Sequence, residues 1–148
     1  MSRFATVEKR PMMLVKCRLK PSPIHGIGLF ADEPIRKGKL VWELTPGFDL
    51  VLRKKDFKGW PPHLRKFLAT YGYRYRKDVY ILCSDHAKHF NHSDSPNTRM
   101  RGPTTYAAKN IARGEELTCD YFELEDVHDA TRANGDAVPP ARRRAERA

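Results

Sequence analysis

The chain of 148 residues has little of what staples or anchors a protein. It has three cysteines, Cys17, Cys83 and Cys119, and no two of them form a C-x-x-C pair. An odd, scattered set of this kind supports neither a zinc knuckle nor a disulfide framework. Their neighbours (VKCRL, YILCS, LTCDY) are strand-like, which suits small buried hydrophobes. No apolar run is long enough for a signal peptide or a membrane span, so a cytoplasmic protein without membrane association is expected. No internal repeat is present, and no alternation of strand and helix of the kind that builds a parallel nucleotide-binding sheet. Acids are almost missing from residues 51–77, where Asp56 stands alone among Arg53, Lys54, Lys55, Lys58, Arg65, Lys66, Arg74, Arg76 and Lys77. Bases are missing from 115–129, which carries Glu115, Glu116, Asp120, Glu123, Glu125, Asp126 and Asp129.

What is present describes an ordinary globular domain with a core, 40% hydrophobic and 31% charged. The net charge of +10 fits a nucleic acid, an acidic partner or simple solubility. The split between a basic and an acidic flank suits two differently charged ligands. A solvated charged face is the plainer account of either flank.

Residues 1–11 are short, polar and closed by Pro11, a flexible leader. Met13–Leu19, Lys39–Leu44, Val79–Cys83, Tyr106–Lys109 and Glu115–Tyr121 are expected strands, with Trp42 a core or sheet-face anchor. Pro61 and Pro62 open a short helix with Leu64, Phe67 and Leu68 on one face and Gly72 close to its end. Tyr71-Gly72-Tyr73-Arg74-Tyr75 alternates in a strand-like period, as a half-buried sheet face does. After Asn134-Gly135 the chain ends in PPARRRAERA, a composition that does not build a core. Many short strands with few helices make a mainly β fold.

One stretch is unusual. Phe90–Asn97, FNHSDSPN, places three Asx residues, two serines and a proline in eight positions directly after an apolar strand. Such side chains fold back on nearby backbone, so a tightly braced loop is expected, not a strand or helix. An Asx-rich surface turn would need no function. Asn91-His92-Ser93 is also a glycan acceptor triplet, a reading that requires secretion. Upstream lies His25-Gly26-Ile27-Gly28-Leu29-Phe30-Ala31, whose G-x-G lets backbone approach a ligand; without a third glycine and a following helix it is no dinucleotide fingerprint. His86, His89 and His92 recur every three residues, a metal-site spacing only if the segment is helical, which Asn91–Pro96 opposes.

Three motifs in order, HGIGLFA at 25–31, FNHSDSPN at 90–97 and ARGEELTCDY at 112–121, resemble the SET domain of protein-lysine methyltransferases. The resemblance covers roughly residues 14–121. It implies a SET-domain fold of short β-sheets with few short helices and a C-terminal pseudoknot, in which 116–121 threads past 90–97. The boundaries implied are a leader at 1–11, the SET domain at 12–122, a flank at 123–134 covering cofactor or channel, and a disordered tail at 135–148. It also implies methyl transfer from S-adenosyl-L-methionine, giving S-adenosyl-L-homocysteine, to a lysine of a basic protein, with no metal. On this resemblance His25, Gly26, Ile27, Gly28, Tyr71, Lys88, Phe90, Asn91, His92, Tyr121 and Phe122 hold the cofactor. Tyr73, Tyr75 and Cys119 line the lysine channel, and Tyr121 is the catalytic tyrosine. The chain departs from many members in having no cysteine after Cys119, so the zinc cluster that completes their channel is excluded and Phe122 is the candidate cover. Cys119 stands where many members have a bulky Phe or Tyr, which leaves room for more than one methyl group.

Two other readings stay open on these residues. One is a small nucleic-acid-binding module using basic 51–77, its interleaved tyrosines and the arginine tail. The other is a SET-like domain that binds without turnover. Either a monomer or a homodimer is compatible with the sequence.

Overall fold

The structure, a computed structural model, describes residues 13–76 and 78–120. Its frame is four small sheets. Strands β1 (Cys17–Pro21) and β2 (Ile27–Ala31) form an antiparallel hairpin. Its connection is closed by Ser22 N–H donating to Gly26 O at 2.8 Å, with Gly26 at φ 45°, left-handed backbone that favours glycine. A second sheet orders β3 (Leu40–Glu43), β9 (Thr104–Ala107) and β8 (Thr98–Arg101). A third orders β4 (Leu50–Arg53), β6 (Val79–Leu82) and β5 (Tyr73–Arg76). The fourth is a two-residue parallel pair, β7 (Asn91–His92) with β10 (Thr118–Cys119).

The main core gathers the inward positions of the hairpin and of the β3 and β6 strands: Leu29, Val41, Ile81, Ala107 and Leu117 are fully buried within it. A smaller cluster of Leu52, Phe57, Leu68 and Tyr80 seats the helices α1 (Lys54–Phe57) and α2 (Pro62–Tyr71) on the third sheet. The α2 helix opens on Pro62, where a missing N–H costs nothing. No described helix is long and apolar enough to cross a membrane.

The mainly β architecture matches the sequence expectation, and three local differences have physical reasons. Pairing of the first strand begins at Cys17, not Met13, which instead bridges Trp42 in isolation. Tyr71 closes α2 and does not begin a strand, because its ring packs on Phe67 one turn back, with centroids 4.9 Å apart. The unexpected strand β8 (TRMR) conceals its period behind two arginines: Thr98 is buried and Met100 half-buried, while Arg99 and Arg101 face out.

The chain crosses itself at residues 114–119. Ala31 N–H donates to Glu115 O at 2.8 Å and Leu117 N–H to Leu29 O at 2.7 Å, tying this segment to β2 on one side. On the other side it is held by the 91–98 loop. Asn97 Oδ1 accepts from Thr118 N–H at 2.9 Å, its Nδ2 donates to Glu116 O at 2.8 Å, and Thr98 Oγ1 donates to Thr118 O at 2.6 Å. The pseudoknot is therefore built from side chains as much as from ladder bonds. The opening of that loop differs from expectation: Asn91 and His92 are strand, because the threading segment gives them partners, Thr118 and Cys119, that no local pattern announces.

Candidate functional site

Asn91 is the centre of the site. It is 6% exposed, and its Nδ2 donates to Glu116 Oε1 at 2.8 Å, to His25 O at 3.0 Å and, more weakly, to Ile27 O at 3.4 Å. Ser22 Oγ donates to the same carboxylate, 2.7 Å from Oε1 and 3.0 Å from Oε2, and itself accepts from Ile24 N–H at 3.0 Å. Ser22, His25–Ile27, Asn91 and Glu116, far apart in sequence, thus form one polar corner. The two glycines of the G-x-G act differently there. Gly26 supplies the left-handed turn, and a Cβ on it would meet nothing. A Cβ on Gly28 would overlap Glu116 Oε1 and lie 2.9 Å from both Glu116 Cδ and Ser22 Cβ. The second glycine is needed by the carboxylate packed against it.

What the corner leaves for a ligand is an acceptor. Both Asn91 amide protons are spent on protein acceptors, which leaves Oδ1 as the group to receive a donor such as an ammonium. The backbone beside Gly26 is open for close approach.

His92 follows on β7 with its ring between two carboxylates, Nε2 2.9 Å from Asp94 and Nδ1 3.7 Å from Asp120. The ring braces the loop against the strand that leads to Tyr121, and Ser93 N–H adds a bond to Cys119 O at 3.0 Å. The residues before Phe90 form a short 3-10 turn, His86–His89, capped by Asp85 accepting from Ala87 N–H at 2.9 Å. Lys88 lies half-buried in that turn. His89 meets the edge of Tyr71 with centroids 5.7 Å apart, which brings the end of α2 beside the loop. Among the described residues the metal-type side chains that group are Asp49, Cys83 and Asp85, and none of the three histidines is among them. The Asp49 carboxylate is occupied by backbone, accepting from Thr45 N–H at 3.0 Å and from Ser84 N–H at 3.1 Å, whereas Asp85 accepts from Ala87 N–H through Oδ1 and its buried Oδ2 has no hydrogen-bond partner among the described residues. Burial, then the charge of Asp49, raises the Asp85 carboxyl above the usual carboxylate range. Burial, with Glu33 and Asp85 adding, pushes the Cys17 thiol up to about 12, so it stays protonated and inert.

Next to the polar corner in sequence, through Phe90, lies a small apolar pocket with an open mouth, lined by Trp42, Tyr73, Cys83, Phe90, Met100 and Cys119 among others. Phe90 and Asn91, adjacent in sequence, serve the two sides: the Phe90 ring sits in the core and the pocket wall, and the Asn91 amide in the polar corner. Tyr73 packs edge-on against Trp42 with centroids 6.4 Å apart, and Tyr75 packs partly buried on the same core. Trp42 Nε1 is buried without a hydrogen-bond partner. The polar corner of His25, Ile27 and Asn91 and the pocket wall of Tyr73, Phe90 and Cys119 are joined through the β7–β10 pair. Sequence reading missed Ser22 and Glu116, while Trp42 is the expected core anchor and also walls the pocket. Glu116 is concealed in an acidic run, and alternation with Leu117 and Cys119 places it on the polar side, so no local signal marks it. Tyr121, Phe122, Glu123, Glu125, Asp126 and Asp129 lie outside the described residues.

The fold and the site point to one class. The model of the SET domain family matches residues 26–122, and the chain belongs to that family. Over 137 residues it is 30% identical to the Schizosaccharomyces pombe histone-lysine N-methyltransferase, H3 lysine-4 specific, covering 84% of this chain and 14% of that protein. The human histone-lysine N-methyltransferase SETD1B is likewise 30% identical, over 84% of this chain and 7% of that protein. The chain thus spans a small fraction of the length of these relatives. Among solved structures, a chain of a humanized mutant Polycomb Repressive Complex 2 from Chaetomium thermophilum matches with TM-score 0.59 and 20% identity, over 80% of this chain and 16% of that chain. A Plasmodium falciparum candidate histone methyltransferase matches with TM-score 0.52 and 22% identity, over 72% of this chain and 93% of that one. At these identities the structural matches speak for the fold alone.

Proposed function

We propose that the protein transfers a methyl group from S-adenosyl-L-methionine to a lysine side chain of a basic protein. The observation that carries the reading is the Asn91 corner, where an amide with both protons committed presents its oxygen beside an open glycine turn, within a SET domain. The amine lone pair forms the new N–C bond as the C–S bond breaks, sulfur keeps the bonding pair, and the amine releases a proton to solvent. The reaction needs a neutral amine, whereas a free lysine, with pKa ~10.4, is almost wholly protonated at neutral pH. The apolar wall of Tyr73, Phe90 and Cys119 disfavours the ammonium by desolvation, and aromatic faces hold the methylated cation. Alignment of amine, methyl and sulfur supplies on the order of 7–11 kcal/mol of the barrier reduction. Tyr121 is assigned a positioning and electrostatic role, Lys88 the cofactor carboxylate, and Phe122 the cover over the adenine. The acidic residues Glu123, Glu125 and Asp126 are assigned the selection of a basic substrate segment.

Titration calorimetry tests the cofactor site. Wild-type protein is expected to bind S-adenosylmethionine at micromolar levels and Asn91→Ala to weaken it at least tenfold, about 1.4 kcal/mol; equal affinities would remove Asn91 from the site. Cys119 is 6% exposed and lines the pocket, and its small side chain takes up less of that pocket than a Phe or Tyr would. Mass spectrometry of the product is expected to show di- or trimethyl-lysine for the wild type and a shift to monomethyl-lysine for Cys119→Tyr. Identical distributions would contradict the steric role of that position.

A further inference from the structure

We propose that Glu116 is a positioning residue of the transferase: it fixes the Asn91 amide so that Oδ1, not Nδ2, faces the cofactor. The inference rests on the cofactor site proposed above. An asparagine amide is nearly symmetric in shape, so only its partners decide which end points outward. Glu116 Oε1 is the nearest of the three acceptors on Nδ2, at 2.8 Å, and it alone carries a charge. The carboxylate is held in turn by Ser22 Oγ at 2.7 Å and by the space that Gly28 leaves. Its backbone is locked as well, bridged to Phe30 on one side and accepting from Asn97 Nδ2 on the other. Hairpin turn, asparagine loop and threading strand are thereby set in register at one carboxylate. Glu116 needs no contact with the substrate to govern affinity for the cofactor.

The test compares Glu116→Ala, Glu116→Gln and Ser22→Ala with wild type in three readouts: melting temperature without ligand, Kd for S-adenosylmethionine and for S-adenosylhomocysteine, and kcat against KM. Glu116→Ala is expected to raise both Kd values by the same factor, about tenfold, the worth of one charge-assisted contact. Its kcat at saturating cofactor should stay within about threefold of wild type. Glu116→Gln, whose carbonyl still accepts from Nδ2, is expected to recover most of the affinity, and Ser22→Ala to fall between. If Glu116→Ala does not fold, the Glu116→Gln and Ser22→Ala affinities decide: the proposal requires Ser22→Ala to weaken both ligands equally. A lower melting temperature with unchanged Kd values would reduce Glu116 to a structural tie and overturn the proposal. So would a loss confined to S-adenosylmethionine, which would show attraction to its sulfonium instead. Absence of cofactor binding by the wild type would instead overturn the functional reading beneath it.

Discussion

Asn97→Ala is expected to destabilise the protein by roughly 3–5 kcal/mol, because the side chain closes the pseudoknot without reaching the ligand. Asn97 is 8% exposed and uses both ends of its amide on the threading segment, accepting from Thr118 N–H at 2.9 Å and donating to Glu116 O at 2.8 Å. Alanine would leave a buried N–H and a part-buried carbonyl unmatched, each costing about 1–3 kcal/mol. Thr98 Oγ1 and the β7–β10 pair would still hold the crossing, so a weakened fold is expected, not an absent one. Urea unfolding at unchanged slope checks this. A loss below about 1 kcal/mol would mean that the crossing is held by the ladder and the core alone.

Gly28→Ala is expected to harm binding as well as stability. Its Cβ would fall on Glu116 Oε1, so the carboxylate must leave its place between Ser22 and Asn91. Overpacking of this kind costs about 1–3 kcal/mol, and loss of the network should weaken S-adenosylmethionine by about tenfold, as Glu116→Ala does. Gly26→Ala is the informative comparison, since a Cβ there meets nothing and only the backbone at φ 45° is strained. The two lesions should also be coupled: in a Glu116→Ala background, Gly28→Ala should cost much less affinity than in wild type. Additive losses would show that Gly28 acts independently of Glu116.

The fold class was legible in the sequence because its signals are local. Short apolar alternations, the Pro61-Pro62 helix start and the G-x-G turn each declare themselves within a few residues. The pseudoknot and the meeting of 25–28 with 90–97 came from the resemblance of three motifs in order, since no periodicity encodes a contact between Thr118 and Asn91. What stayed illegible is what tertiary context decides. Glu116 belongs by composition to an acidic run, yet the crossing turns it inward onto Ser22 and Asn91. Gly28 reads as a ligand-approach glycine, and its nearest claimant is a carboxylate of the same chain. Arg74 sits in the basic stretch 51–77 and is nevertheless buried at 8% exposure, so charge counted along the sequence overstates the basic surface there.

The most direct test is methyl transfer itself. Purified protein is incubated with methyl-labelled S-adenosylmethionine and a mixture of basic proteins, and lysine methylation is read by mass spectrometry against Tyr121→Phe as control. The account predicts methyl-lysine in a basic segment with the wild type and a rate lowered about a hundredfold or more in the variant, the scale of losing one aligned catalytic donor. Tight cofactor binding with no methylated lysine in any basic protein, or equal rates for wild type and Tyr121→Phe, would contradict it.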